Sequence, residues 1–235
     1  MFPIRDSIRS RTVPVVTRTL IVLNVIVFFY ELLVGKEGLE NLFYLFGVVP
    51  ARLTHPGWAA HVGFPGGAFW TLLTYQFLHG GWLHIIANMW ALWIFGDNVE
   101  DAMGHFRYAV FYIFCGVVAA LTQTFIQSGS TVPSVGASGA IAGVLGAYLI
   151  FYPTAWVEVV FPIFFFPFFF ELPAVLYLGF WFLTQVFSGT QSLARRGDAS
   201  GIAFWAHVGG FAAGMLLCHA FKRKGRSRRD EFWAE

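Results

Sequence analysis

Gly136-Ala137-Ser138-Gly139-Ala140-Ile141-Ala142-Gly143-Val144-Leu145-Gly146 sets glycines three, four and three residues apart around one hydroxyl. On an α-helix that spacing draws a single smooth stripe. In a bilayer, small residues of this kind let two helix backbones touch. A second stretch matches it. Ala206-His207-Val208-Gly209-Gly210-Phe211-Ala212-Ala213-Gly214 puts His207, Gly210 and Gly214 at i, i+3 and i+7, again one face. Two glycine-faced membrane helices, one carrying Ser138 and the other His207, are therefore expected to pack closely. Close approach is what a hydroxyl and an imidazole need, because proton transfer requires heavy atoms about 2.6–3.2 Å apart. No carboxylate falls near His207 within its span, so the pattern points to a dyad rather than a triad.

The surrounding composition supports a bilayer as solvent. Of the 235 residues, 57% are hydrophobic and only 12% charged, and 28 are Phe. A water-soluble chain of this length could not bury so much apolar surface. The apolar stretches are continuous rather than alternating, which argues against a membrane β-barrel. The net charge of +2 says less than its distribution, since ten of the 15 basic residues lie at the two ends. They are Arg5, Arg9, Arg11 and Arg18, then Lys222, Arg223, Lys224, Arg226, Arg228 and Arg229. Positive flanks favour the cytoplasmic side, so both ends are expected inside and the number of spans even. The C-terminal run abuts an apolar helix, which favours this reading over nucleic-acid binding. Cys115 and Cys218 sit inside apolar runs and read as buried free thiols. The first apolar run lacks a cleavage site and reads as a retained span.

Six spans are expected, at about Arg18–Val34, Trp82–Phe95, Phe106–Ile126, Val135–Tyr152, Phe168–Phe187 and Ile202–Phe221. The fifth comes from a mostly apolar stretch, Ala155–Phe187, too long for one straight span of about 20 residues. Pro162, Pro167 and Pro173 interrupt its first part, which reads as an interfacial segment leading into one span. Residues Gly35–Gly81 form a long first loop, rich in Gly, Pro and aromatics, expected to lie partly in the outer membrane interface. The chain thus divides into a basic tail (1–17), an all-α six-span domain (18–221) and a second basic tail (222–235).

Polar residues inside spans are costly and mark function by default. His84, Asn88, Ser138 and His207 all fall in the first half of an even-numbered span. With the N-terminus inside, those spans run from outside to inside, which gathers the four at similar depth in the outer half of the membrane. His207 lies about 8 Å along its helix from Ile202, at about 1.5 Å per residue. Each residue alone has a plainer explanation. A membrane serine commonly bonds a carbonyl of its own helix, a glycine stripe can serve packing alone, and a lone histidine can relay protons. The conjunction weighs against all three. An acyl-transfer intermediate would also need donors for its oxyanion. Candidates are the Ser138 backbone N–H and the side chains of His84 and Asn88, which lie on one helical face at i, i+4.

At these positions the sequence resembles the rhomboid family of intramembrane serine proteases. Gly136-Ala137-Ser138-Gly139 looks like the family's GxSG, and Ala206-His207 through Gly214 resembles its AHxxGxxxG. His79 through Asn88 is similar to its HxxxxHxxxN, and Gly96, Glu100 and Gly104 to its GxxxExxxG. The likeness runs from the first span to the sixth. It implies a six-transmembrane-helix bundle with Ser138 as nucleophile and His207 as base. The oxyanion site would comprise His84, Asn88 and the Ser138 N–H, with Gly136, Gly139, Gly143, Gly210 and Gly214 supporting helix packing. It further implies cleavage of transmembrane segments of other proteins near the outer membrane face, with neither metal nor cofactor. The setting would be a bacterial plasma membrane, with membrane lipids as partners and no nucleic acid. Trp181 and Phe182 of the fifth span would form a lateral gate. Two positions depart from the family pattern. Trp70-Thr71 stands where the family often has Trp-Arg, and Ala142 where it often has an aromatic residue stacked on the catalytic imidazole.

Other functions fit less well. A rhomboid-like pseudoprotease that binds membrane helices without cutting them would typically lack the serine or histidine, and both are present. A transporter or proton channel using His84 and His207 lacks a pair of broken-helix repeats. A metalloprotease lacks HExxH, and His79 and His84, five apart, do not share a helical face.

Overall fold

Helices without a polar face must be covered by other helices or by lipid, and the architecture follows from which are covered. A computed structural model describes residues 1–163, 166–194 and 203–223. Strand β1 (Phe2–Asp6) precedes helix α1 (Val15–Leu33). Short helices α2 (Gly35–Phe46), α3 (Pro50–Thr54), α4 (Pro56–His61) and α5 (Thr71–Thr74) follow, then the long α6 (Trp82–Met103) and α7 (His105–Ile126). Helix α8 (Ser138–Phe151) leads into a hairpin of β2 (Trp156–Ile163) and β3 (Phe166–Pro173), and α9 (Ala174–Ala194) and α10 (Phe204–Phe221) complete the bundle. By length and composition α1, α7 and α10 are each able to cross a membrane, and α8 is a shorter apolar helix.

Helix α8 occupies the centre, buried from Gly139 through Tyr148. Glycines set how closely its neighbours approach. A methyl carbon on Gly210 would lie 2.0 Å from the Gly139 carbonyl oxygen, and one on Gly146 would lie 2.2 Å from that of Phe211. On the α7 side, a methyl on Gly143 would meet Cys115 Cβ at 2.4 Å. Any larger side chain at these points would strike backbone or core. Cys115 and Cys218 are both buried and free.

The span limits differ from expectation in instructive ways. Helix α6 continues past Phe95 to Met103 because Asp97, Glu100 and Asp101 stay helical, although they end the apolar run. Helix α9 starts at Ala174 rather than Phe168. The Phe-rich stretch before it is strand, not helix, so the expectation of a purely α-helical chain is corrected by a three-stranded antiparallel sheet of order β1-β2-β3. Val and Phe favour strands, and Pro162 and Pro167, opposed across the hairpin, disfavour helix. Val157 and Val159 are buried at its base, whereas Phe161, Phe168 and Phe169 are exposed toward its tip. Residues Phe2–Asp6, read above as part of a basic tail, form the third strand, with Phe2 opposite Val160. Helix α10 begins at Phe204; the expected start at Ile202 and the basic residues from Lys224 onward lie outside the described residues. The segment between α1 and α6 is folded into short helices, two of which start at a proline, Pro50 and Pro56. Proline suits that first position because its fixed φ matches the helix.

Candidate active site

Two helix starts bring the site together. Ser138 is the first residue of α8, and His207 lies in the first turn of α10. The glycine contacts hold these helices backbone to backbone, and Ser138 Oγ lies 2.8 Å from His207 Nε2. That is hydrogen-bond distance.

The turn before Ser138 is shaped by Gly136 at φ +127°, a conformation that favours glycine. Gly136 therefore precedes α8 and does not continue its helical stripe. A methyl there would meet His84 Nε2 at 2.7 Å and Asn88 Nδ2 at 3.7 Å. The Gly136 N–H donates to the Tyr75 carbonyl at 2.9 Å, and Ser134 pairs with Val48. The segment leading to the serine is thus fixed on the loop side.

Several donors face this turn. Ala137 caps α8 without a side-chain bond, and the first helical bond runs from the Ile141 N–H to the Ala137 carbonyl at 3.0 Å. The Ser138 N–H therefore has no partner within its helix and sits at the positive end of the helix dipole. His84 accepts the Gly80 N–H at Nδ1, 3.3 Å away, so its proton resides on Nε2, the atom turned toward Gly136. Asn88 donates one amide hydrogen to His79 Nε2 at 3.0 Å, and the His79 N–H donates to Glu31 of α1 at 3.0 Å. One hydrogen of the Asn88 amide remains for another acceptor. His79 thus supports Asn88, and burial holds its imidazole far below the usual range, at about 3. Among the described residues no cluster of His, Cys, Asp or Glu is arranged to hold a metal ion.

The Rhomboid domain family model matches residues 66–224, the span that contains His79, His84, Asn88, Ser138 and His207. The chain belongs to the rhomboid family. Rhomboid relatives are found in plants and bacteria. RHOMBOID-like protein 5 of Arabidopsis thaliana is 39% identical over 90 residues, covering 38% of this chain and 29% of the relative. RHOMBOID-like protein 6, mitochondrial, from the same plant is 28% identical over 172 residues, 71% of this chain and 48% of the relative. Rhomboid protease AarA of Providencia stuartii is 31% identical over 150 residues, 57% of this chain and 50% of the relative. The chain therefore spans half or less of the length of these three. With its family and its apolar helices, this rhomboid is an integral membrane protein.

The two departures from the family pattern have local substitutes in this rhomboid. Ala142 is buried and carries no ring to stack on the imidazole. The ring is met instead by Trp181 of α9, with centroids 5.9 Å apart, and its Nδ1 lies 2.8 Å from Gln185 Oε1. In the loop, where Thr71 follows Trp70, the cation comes from Arg52. Its guanidinium lies 5.4 Å from the Trp70 ring and 5.0 Å from that of Phe64. It donates to the carbonyls of Leu45 at 3.0 Å and Pro65 at 3.2 Å. Sequence reasoning singled out neither Gln185 nor Arg52. Gln185 could have been flagged as a polar residue inside an apolar span, four positions after Trp181.

Proposed function

We propose that this chain is an intramembrane serine endopeptidase acting through a Ser138–His207 dyad. The observation that carries the reading is the 2.8 Å contact between Ser138 Oγ and His207 Nε2 at the starts of two interlocked helices. His207 takes the hydroxyl proton as Ser138 attacks a substrate carbonyl. The oxyanion is met by the Ser138 N–H and by His84 and Asn88, donors that act strongly where water is scarce. The imidazolium then protonates the departing amine, and water hydrolyses the acyl-enzyme by the same route in reverse. No metal or cofactor takes part.

The substrates in this reading are transmembrane segments of other proteins. A helix hides its carbonyls in its own hydrogen bonds, so a substrate must unwind before attack, which favours small or helix-breaking residues at the cut. Helices α1, α6, α7, α8, α9 and α10 serve as six spans, with residues 18–221 as the catalytic domain and both basic flanks in the cytoplasm of a bacterium. That orientation sets the dyad under the outer face, with the segment between α1 and α6 in the outer interface. It places the Phe-rich hairpin at the inner leaflet, against membrane lipid, and makes Trp181 and Phe182 of α9 the gate.

The test is a fluorophosphonate activity probe together with a model transmembrane substrate, both in liposomes. Wild type is expected to label and to cleave, and Ser138→Ala and His207→Ala to do neither while remaining folded. Cleavage by purified Ser138→Ala protein overturns the assignment. Binding of the substrate helix without labelling or cleavage would favour a non-cleaving role.

A further inference from the structure

We propose that Gln185 is a positioning residue of the dyad, whose amide oxygen fixes which nitrogen of His207 faces Ser138. The inference rests on the proteolytic reading and deepens it. Three hydrogen bonds determine how the amide is turned. The Thr184 hydroxyl donates its one proton to the Trp181 carbonyl at 2.6 Å. Its oxygen can then only accept, and it does so from Gln185 Nε2 at 3.1 Å. The same nitrogen also lies 3.4 Å from the Trp181 carbonyl. With the amide nitrogen held on this side, Oε1 is the atom turned to the imidazole, 2.8 Å from His207 Nδ1. An amide oxygen only accepts, so Nδ1 must carry the hydrogen. A neutral imidazole has one N–H; Nε2 is left with its lone pair toward Ser138 Oγ. This is the tautomer a general base requires, and the opposite one could not accept the serine proton.

The arrangement has two further properties. Once His207 has taken the serine proton, Oε1 still accepts from Nδ1, so the charged ring keeps its orientation through the tetrahedral stage. The support also comes from a third helix. Ser138 is on α8 and His207 on α10, whereas Gln185 and the Trp181 ring that flanks the imidazole are on α9. Among the described residues, the titratable side chain acting electrostatically on the ring is His84 of α6. No carboxylate bonds the ring among the described residues, and the neutral amide occupies the place that an acid holds in a triad.

The test compares Gln185→Leu, Gln185→Glu and wild type for cleavage of a model transmembrane substrate in liposomes across pH, with fluorophosphonate labelling rates and melting temperatures. Gln185→Leu is expected to lower kcat on the order of 10- to 100-fold with KM little changed, and to slow labelling in parallel. Gln185→Glu is expected to recover most of the rate and to move the acid limb of the kcat profile to higher pH, since a carboxylate favours the charged ring. Full kcat in Gln185→Leu overturns the proposal. So does an acid limb unmoved in Gln185→Glu, or a loss that follows melting temperature alone. A wild type that neither labels nor cleaves overturns the proteolytic reading and this role with it, an outcome distinct from a variant-specific result.

Discussion

Gly214 of α10 lies directly against the carbonyl oxygen of Gly143 in α8, so close that a methyl group on Gly214 would sit 2.0 Å from that oxygen. The opposing atom is backbone and cannot rotate away, so relief requires the helices to separate. Ser138 and His207 ride on these helices. Gly214→Ala is therefore expected to reduce cleavage on the order of 100-fold, the scale of a misplacement of about 1 Å. Overpacking should also cost about 1–3 kcal/mol of stability. Gly179→Ala in α9, where nothing lies within 4 Å, is the control and should leave both properties unchanged. Activity assays paired with thermal unfolding in detergent check the contrast; equal activity of the two variants would refute it.

Glu100 of α6 caps the start of α1 from outside that helix. Its carboxylate accepts the Val16 and Thr17 N–H groups at 2.9 and 2.8 Å and the Thr17 hydroxyl at 2.7 Å, and it contacts His105 Nδ1 at 2.6 Å. Pro14, at the N-cap, offers no side-chain bond of its own. Glu100→Ala orphans the buried Thr17 N–H, at about 1–3 kcal/mol, and the part-buried Val16 N–H beside it. A clear drop in melting temperature is expected, with a smaller one for Glu100→Gln, which keeps an acceptor. Rate per folded molecule should hold in both, because the Glu100 carboxylate bonds neither Ser138 nor His207.

Arg52, only 4% exposed, ties together loop carbonyls and two aromatic rings. Lysine cannot reproduce this set, since it lacks the planar fork that reaches several carbonyls and stacks on Trp70. Arg52→Lys and Arg52→Gln are both expected to loosen residues 35–81. Limited proteolysis of that segment should accelerate several-fold, and arginine alone should give wild-type resistance. Unchanged cleavage kinetics in Arg52→Gln would rule out this anchoring role.

Asp6 in β1 supplies a pH dependence. Burial raises its carboxyl from 3.8 to about 6, opposed in part by its hydrogen bond with Tyr148. The folded chain therefore keeps this proton over a range in which the unfolded chain has lost it. Stability from this group is complete below about pH 4, falls as pH climbs to about 6, and is level above that. Asp6→Asn keeps an oxygen acceptor for Tyr148 and cannot titrate. The melting temperature of the variant relative to wild type should thus rise between pH 4 and 6 and then plateau. A difference independent of pH would show that Asp6 does not titrate in this way.

Much of the bundle could be read from apolar run length and glycine spacing, since these are properties of one segment at a time. The α7 limits and the end of α10 fall within a residue of the expected ones for that reason. Hydropathy fails where apolar residues do something other than form a helix. The stretch from Trp156 to Pro173 has the composition of a membrane span but pairs as a hairpin, because prolines exclude helix and Val and Phe suit strand. Charge misleads in the other direction at α6, where buried Glu100 is a helix residue and not an end. Of the site, Ser138, His207, His84 and Asn88 stood out as polar residues in apolar helices. Arg52 was illegible because its partners are mainly backbone carbonyls and rings brought near only by folding. Gln185 was overlooked because an uncharged amide attracts less notice than a histidine, although its hydrogen bonds bear on which nitrogen faces the serine.

The pairing of Phe2 with Val160 carries a consequence for biosynthesis. While the ribosome is still making the first four long helices, the opening strand has no edge to join, and it must wait for the hairpin beyond α8. Its docking is thus a late closing event that joins early chain to late chain and covers one side of β2. Were that pairing lost, β2 would keep an open strand edge, a site for unwanted association between nascent molecules.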